Sequence, residues 1–244
     1  MNQITPVVKQ LLIVNVILFA GTFIVPELSY YFALYYPENP NFRIWQIITH
    51  MFMHGSVAHI LFNMFALYSF GSVLEHYWGG KKFILFYILC GLGAAALHTA
   101  VNYWQFYDAY NILIEKGATQ LDIDNLIQNG RGVRYFDKVV ETLSSSYNSA
   151  AVGASGAIYG LLVAFAFMFP NAGLSLIFLP IPVKAKYFVP GILLLDLILG
   201  FKGSSIFGGG TGIAHFAHIG GALVGFLLMW LWKKNQFDQY RWDK

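Results

Sequence analysis

Five polar residues interrupt the apolar segments of this chain, and their types could support nucleophilic catalysis. They are His59, Asn63, Ser155, Tyr159 and His218. Unpaired polar groups are costly in hydrocarbon, so such residues are usually functional or paired with one another. A neutral histidine can take the proton of a serine hydroxyl, and histidine and asparagine side chains can donate hydrogen bonds to a developing oxyanion. The pattern therefore predicts serine–histidine chemistry inside a bilayer.

The spacing of these residues places them in pairs on helix faces. His59 and Asn63 are four positions apart, and so are Ser155 and Tyr159. Residues at this spacing lie on the same face of an α-helix. Taken alone, Tyr159 is better explained by packing between helices than by catalysis, and a single histidine is as readily structural as functional. The combination favours a functional site.

Composition places the chain in a membrane. It is 57% hydrophobic and 11% charged, with a mean hydropathy of +0.56, whereas soluble domains carry about 25% charged residues. The net charge of +3 is small and no basic run stands out, so we expect no nucleic-acid partner. Cys90 is the only cysteine, which leaves no intramolecular disulfide and no cysteine-based metal cluster.

Six hydrophobic segments can be drawn, each judged against the ~20 residues of a spanning helix. They cover roughly residues 7–25, 56–75, 83–103, 152–169, 187–200 and 213–232. The predicted fold is therefore an all-α bundle of six transmembrane helices, forming one domain over residues 1–244. Most basic residues outside one long loop fall on the side of both termini, which the positive-inside rule places in the cytoplasm.

This topology predicts that the polar residues meet at the outer end of the bundle. The second, fourth and sixth helices run in the same direction, and His59, Ser155 and His218 lie roughly 5–9 Å below their starts at 1.5 Å per residue. Small residues four positions apart let helix backbones approach closely. Two such pairs occur in the fourth and sixth helices, Gly156 with Gly160 and Gly221 with Gly225. We expect these faces to bring Ser155 within reach of His218.

Three connections are long or rich in glycine. The first covers about residues 26–55, and the second, an insertion on the outer side, covers about 104–150. In the second, Leu121, Ile123 and Leu126 could line one side of a short helix. The connection after the fifth helix is a candidate mobile lid or a simple flexible connector. Its notable residues are Gly203, Phe207, Gly208, Gly209, Gly210 and Gly212.

The sequence predicts a dyad rather than a triad. Asp196 is the only acidic residue clearly inside a predicted span, and it lies toward the far part of the fifth helix in chain order. No carboxylate is then well placed as a third catalytic member. The favoured interpretation of Asp196 is a hydrogen-bonded anchor between helices, and His50, His54 and His215 could serve the same structural purpose.

Three motifs, in order along the chain, resemble those of the rhomboid intramembrane serine proteases. His59 and Asn63 match the family's His-x-x-x-Asn motif, and Gly153-Ala154-Ser155-Gly156 resembles its Gly-x-Ser-Gly nucleophile motif. Ala217-His218 with Gly221 and Gly225 matches Ala-His-x-x-Gly-x-x-x-Gly. Together the motifs are specific, whereas Gly-x-Ser-Gly alone would be weak.

The resemblance implies a role for each residue. Ser155 would be the nucleophile, His218 the base and Tyr159 the support for the His218 ring, with His59, Asn63 and the Ser155 N–H at the oxyanion. Gly153, Gly156, Gly221 and Gly225 would support the site. The family has a Trp-Arg motif in this loop. Trp45 matches its tryptophan, but Gln46 stands in place of the arginine, which puts the membrane contact of the loop in doubt.

The resemblance also implies an activity and a location. We expect a serine endopeptidase without metal or cofactor, acting on membrane-anchored proteins in or near their transmembrane helices. The six-helix form implied here is bacterial, which would place the chain in a bacterial inner membrane with its active site toward the outer side.

Two other classes of protein stay open. One is a catalytically inactive rhomboid-like binder of membrane proteins, which the presence of both serine and histidine disfavours. The other is a channel or transporter, for which neither symmetric halves nor paired broken helices are evident. Zinc and aspartyl intramembrane proteases fit less well, because the chain has no His-Glu-x-x-His motif and no aspartate pair within its spans.

Overall fold

The described part of the chain is mostly helical. The computed structural model describes residues 4–129, 138–176, 179–202 and 213–233. Within these ranges the α-helices are α1 (Pro6–Ile24), α2 (Leu28–Phe32), α3 (Gln46–Thr49), α4 (Val57–Ala66), α5 (Ser72–Trp78), α6 (Gly80–Glu115), α7 (Gln120–Asn129), α8 (Lys138–Asn148), α9 (Ser155–Met168), α10 (Ala185–Lys202) and α11 (Ile213–Lys233). The predicted all-α class is confirmed. A small antiparallel hairpin between α9 and α10, β1 (Gly173–Leu176) with β2 (Leu179–Lys184), is the exception.

Four helical stretches are long and apolar enough to cross a membrane. They are Pro6–Ile24, Val57–Trp78, Gly80–Glu115 and Ala214–Trp232. The second joins α4 and α5 through a π-helical turn. The protein is therefore a polytopic helical membrane protein. Of the other two expected spans, α9 is apolar but only 14 residues long, and α10 contains two lysines and an aspartate, so the number six stays a prediction.

Glycine lets α9, α11 and α6 pack with their backbones close together. A Cβ on Gly225 would lie 2.8 Å from the Cα of Gly160, and a Cβ on Gly221 would overlap the carbonyl oxygen of Gly156. A Cβ on Gly156 would overlap Ala94 of α6. Since any larger residue would push these helices apart, the small-residue pairs set the distance between α9 and α11.

A buried carboxylate holds the start of α1. Glu75 of α5 is 4% exposed and accepts hydrogen bonds from the backbone N–H groups of Val7 and Val8, at 2.9 and 2.8 Å, and from the Thr5 hydroxyl. The first N–H groups of a helix have no partner within the helix, and a negative charge is favourable there. Glu75 therefore caps α1 and ties it to α5.

Much of the segment expected as a long loop is helical. The third predicted span ends near residue 103, but α6 continues to Glu115 and contains 36 residues, or about 54 Å at 1.5 Å per residue. That length exceeds the ~30 Å hydrocarbon core. Two further helices, α7 and α8, follow it.

These helices enclose a separate apolar cluster. Ile123 and Leu126 share one side of α7 and are buried, whereas Leu121 is 69% exposed, so its assignment to the same side of the short helix was wrong. The ring of Tyr36, from the first long connection, packs on Phe106 and Tyr147 with centroids 5.3 and 5.6 Å away. The buried members of the cluster are Tyr36, Phe106, Ala109, Leu113, Ile123, Leu126 and Leu143.

The first long connection also holds the segment that leads into α9. Leu34 and Ala151 exchange both backbone hydrogen bonds, at 2.9 and 2.8 Å. Two residues later, the Gly153 N–H donates to the His50 carbonyl at 2.9 Å. The backbone before Ser155 is therefore fixed from one side by this connection.

Candidate active site

Ser155 is the first residue of α9, rather than the fourth as the predicted boundaries implied. The N–H groups of a helix's first turn have no partner within the helix. The chain turns into the helix at Gly153, whose φ of +125° is one that residues with a side chain rarely adopt. A Cβ there would also lie 2.8 Å from Nε2 of His59. Glycine is therefore required both for the turn and for the space beside the histidine.

The structure brings Ser155 and His218 into contact. Nε2 of His218 lies 2.9 Å from Oγ of Ser155, within the range of a hydrogen bond. His218 is the sixth residue of α11, and the close glycine contact between α9 and α11 lies one turn further along. The His218 side chain is 19% exposed, so the pair lies at the accessible end of the helices.

Tyr159 stacks on the histidine ring. The two ring centroids are 4.2 Å apart and the planes differ by 9°. Because Tyr159 is one turn after Ser155 on α9, a single helix face presents both the hydroxyl and the surface that holds the imidazole. The plane of the His218 ring is therefore set by packing.

His59 and Asn63 lie one turn apart on α4. The hydroxyl of Ser56 caps this helix by accepting a hydrogen bond from the His59 N–H at 3.2 Å. The His59 ring contacts the His54 ring edge to face, with centroids 5.0 Å apart. Asn63 is 5% exposed, and its Nδ2 has no hydrogen-bond partner among the described residues. A buried donor without a partner is costly, so this amide is available to a ligand.

The predicted position of Asp196 away from the site was wrong. This carboxylate is 3% exposed, and its Oδ1 lies 3.3 Å from Nδ1 of His218 and closer still to Nδ1 of His215. The error came from helix direction. α10 runs opposite to α9 and α11, so its later residues reach the end of the bundle where α11 begins.

Asp196, His215 and His218 are also the groups best placed to hold a metal ion. One ligand atom from each lies within 4.8 Å of the other two, and two imidazoles with a carboxylate form a common metal site. The same atoms already bond to one another, however, since both histidines share one oxygen of Asp196. The second oxygen, Oδ2 of Asp196, is buried and has no hydrogen-bond partner among the described residues.

Gln46, in place of the expected arginine, is wholly buried in the first long connection. Its neighbour Trp45 is 46% exposed and donates its indole N–H to the Tyr31 carbonyl at 2.9 Å. Among the described residues, the Gln46 amide bonds to backbone groups. It accepts from the N–H groups of Tyr35 and Arg43 and donates to the carbonyls of Tyr30, Tyr31 and Asn41. Gln46 therefore braces this connection internally.

Comparison with known proteins agrees with the motifs. A model of the rhomboid domain matches residues 41–106 and 132–235, which is more than half of the chain. The chain belongs to the rhomboid family. The match includes each motif residue from His59 to Gly225 and leaves out residues 107–131, where α6 extends and α7 follows.

The similar proteins include a named rhomboid protease and mitochondrial rhomboid-like proteins. The rhomboid protease AarA of Providencia stuartii is 29% identical over 199 residues, covering 75% of this chain and 54% of AarA. An uncharacterized mitochondrial rhomboid protein of Schizosaccharomyces pombe is 27% identical, covering 79% and 53%. The mitochondrial presenilin-associated rhomboid-like protein of Bos taurus is also 27% identical, covering 82% and 42%. The chain thus spans about half the length of these relatives.

The glycine-rich connection predicted as a lid or connector, residues 203–212, lies outside the described residues. Whether it covers the site stays a prediction.

Proposed function

We propose that this rhomboid protein is an intramembrane serine endopeptidase that uses Ser155 and His218 to cut membrane-anchored proteins. The contact of 2.9 Å between Ser155 Oγ and His218 Nε2 carries the proposal. A serine hydroxyl is a weak nucleophile until a neighbouring base accepts its proton. The relative AarA, which is named a rhomboid protease, supports the same activity.

The reaction proceeds in two halves. Ser155 Oγ attacks the scissile carbonyl carbon while its proton passes to His218 Nε2, which then gives the proton to the departing amine. This leaves an ester between Ser155 and the acyl half of the substrate. Water then attacks the ester with His218 as base, and the proton returns to Ser155 as the acid product leaves. Tyr159 keeps the imidazole plane facing the serine throughout.

The oxyanion of each tetrahedral intermediate is bound by groups from two helices. The Asn63 amide, buried and without a partner among the described residues, donates from α4. The N–H of Ser155 donates from the first turn of α9, where the helix dipole favours negative charge. His59, beside Gly153, is the third donor. Preorganised donors of this kind each contribute roughly 10²–10³-fold to kcat.

The substrate is a transmembrane segment that can unwind. In a helix the carbonyls are hydrogen bonded, so the scissile bond must leave helical geometry before Ser155 can reach it. Within lipid, backbone groups released in this way need new partners. Glycine, proline and other helix-weakening residues near the cut would lower this cost. The partial exposure of His218 supplies a route for the hydrolytic water.

The proposed location follows from charge. Lys9 in the first turns of α1 and Lys81 and Lys82 at the start of α6 lie on the side away from Ser155. The positive-inside rule then places both termini in the cytoplasm and the site toward the outer face. A bacterial inner membrane fits this arrangement. A reporter that is active only in the cytoplasm, fused to the C-terminus, tests this orientation. A fusion that inserts into the membrane but is inactive would show that the C-terminus lies on the outer side.

Serine-directed labelling tests the chemistry. Purified protein in detergent should react with a fluorophosphonate and should cleave a transmembrane reporter in liposomes, and Ser155→Ala should lose both. Ser149 is an exposed serine just before the site. Ser149→Ala is therefore the matched control and should keep both labelling and cleavage. Cleavage that persists in Ser155→Ala removes Ser155 from the mechanism. A wild-type protein that binds reporter helices but never cleaves them would instead be an inactive binder.

A further inference from the structure

The Asp196 carboxylate connects α10 to the base of the proposed protease. It lies behind the His218 ring, with Oδ1 3.3 Å from Nδ1, while Nε2 on the other side of the ring faces Ser155 at 2.9 Å. Serine, histidine and aspartate therefore form a continuous chain of contacts from α9 through α11 to α10. The sequence predicted only the first two members.

An ionised carboxylate restricts the proton on the histidine. It can only accept hydrogen bonds, so Nδ1 of His218 must carry the proton that points at Asp196. Nε2 then keeps its lone pair and can accept the proton of Ser155. In the opposite tautomer Nε2 would carry the hydrogen and could not act as a base. The carboxylate thus selects the reactive tautomer.

Tyr159 cannot make that selection. It stacks on the face of the His218 ring at 4.2 Å, and a stacked face fixes the ring plane but does not distinguish Nδ1 from Nε2. The carboxylate also faces the imidazolium that forms when His218 takes the serine proton, and it stabilises that positive charge. Tyr159 therefore fixes the ring plane and Asp196 the tautomer, while the Tyr159 hydroxyl, which hydrogen bonds to Asp196, helps to hold the carboxylate in place.

His215 offers the competing explanation. It precedes His218 by three positions on the same face of α11 and makes the shorter contact with Asp196. Asp196 could thus serve only to fasten α10 to α11 through His215. The two explanations differ in which histidine matters for the reaction, and this difference can be measured.

We propose that Asp196 is a positioning residue that holds His218 in its reactive tautomer, so that this chain works as a serine–histidine–aspartate relay rather than a dyad. The inference rests on the proposed protease function. The carboxylate stays ionised, because the serine proton remains on the imidazole until the leaving amine takes it. The relay adds no group to the reaction and needs none beyond the residues described.

The test compares Asp196→Asn with His215→Gln in purified protein. Asp196→Asn should lower kcat and the rate of fluorophosphonate labelling by about 10- to 100-fold, with KM within about twofold. This loss of kcat should be smaller than the ~10⁴-fold found where a triad carboxylate bonds to the catalytic histidine alone. In this chain Oδ1 of Asp196 also bonds to His215, so its contact with His218 is weaker. His215→Gln should lower the melting temperature but change kcat by less than about threefold. Asp196→Ser replaces Asp196→Asn if the latter does not fold.

Several outcomes would overturn the relay. One is that Asp196→Asn keeps kcat within about twofold of wild type. Another is that His215→Gln loses as much kcat as Asp196→Asn, which would mean that Asp196 serves to fasten α10 to α11 through His215. Activity lost in EDTA and restored by Zn²⁺ would assign the cluster to a metal ion. In each case Ser155→Ala remains the inactive reference. A wild type that fails to label at Ser155 would refute the protease function itself, and the relay with it.

Discussion

Gly221→Ala should separate the serine from its base without touching either residue. The new methyl group would overlap the carbonyl oxygen of Gly156, the residue after the nucleophile. α9 and α11 must then move apart by on the order of 1 Å, since packed helices cannot compress backbone atoms. That shift stretches the 2.9 Å contact between Ser155 and His218 beyond hydrogen-bond range.

A misplacement of ~1 Å can cost about 10²-fold in rate, and overpacking typically costs about 1–3 kcal/mol of stability. We therefore expect Gly221→Ala to lower kcat and the labelling rate about 100-fold, with a reduced melting temperature in detergent. Gly225→Ala should be milder, because its Cβ would approach the Cα of Gly160 at 2.8 Å and lies one turn further from the site.

Gly191→Ala is the matched control for the lead variant. It adds the same methyl group to α10, where no described atom outside the neighbouring helix backbone lies within 4 Å of the new atom, so activity should be unchanged and the melting temperature equal or slightly higher. The reasoning fails if Gly221→Ala keeps kcat within about threefold of wild type. It also fails if Gly191→Ala is equally harmful, since the loss would then come from any methyl group in the bundle.

Two further variants probe the supports of the site and of the bundle. Tyr159→Phe keeps the ring stacked on His218 and removes only the hydroxyl that hydrogen bonds to Asp196, so it should label with fluorophosphonate within about threefold of wild type. Tyr159→Leu should label up to about 10-fold more slowly than Tyr159→Phe, which matches about 1.4 kcal/mol of stacking. Equal rates for the two variants would show that stacking does not orient the base. Glu75→Ala removes the cap from the N–H groups of Val7 and Val8 and should cost about 1–2 kcal/mol in thermal unfolding, with kcat nearly unchanged for folded protein. A melting temperature equal to wild type would mean that water replaces the carboxylate.

The meeting of Ser155 and His218 could be predicted because it depends on local regularities. Helical spacing puts Ser155 and Tyr159 on one face whatever the rest of the chain does. Glycines four residues apart indicate which faces of two helices can approach. Since both rules act within a few turns of helix, short stretches of sequence were enough to predict that α9 and α11 pack together.

The length of α6 could not be predicted in the same way. Beyond residue 103 the sequence is polar enough to suggest a loop, and its helical form depends on burial of Phe106 and Leu113 against residues distant in the chain. Tyr36 is 70 positions before Phe106 and still contacts its ring. Hydrophobic periodicity within one segment does not identify such partners. The error at Leu121 has a different, local cause: Leu121 is two positions before Ile123 and so faces away from it on a helix.

Gln46 shows that a departure from a family motif is best judged by the partners it must satisfy. The connection that contains Gln46 exposes several backbone N–H and carbonyl groups that helices elsewhere would pair internally. A glutamine amide provides both an acceptor and two donors, and here it serves both kinds of backbone group. An arginine at this position could donate but could not accept. The replacement therefore changes which backbone groups of the connection are hydrogen bonded. This connection also holds Gly153 in place through the His50 carbonyl, so the glutamine supports the turn that presents Ser155.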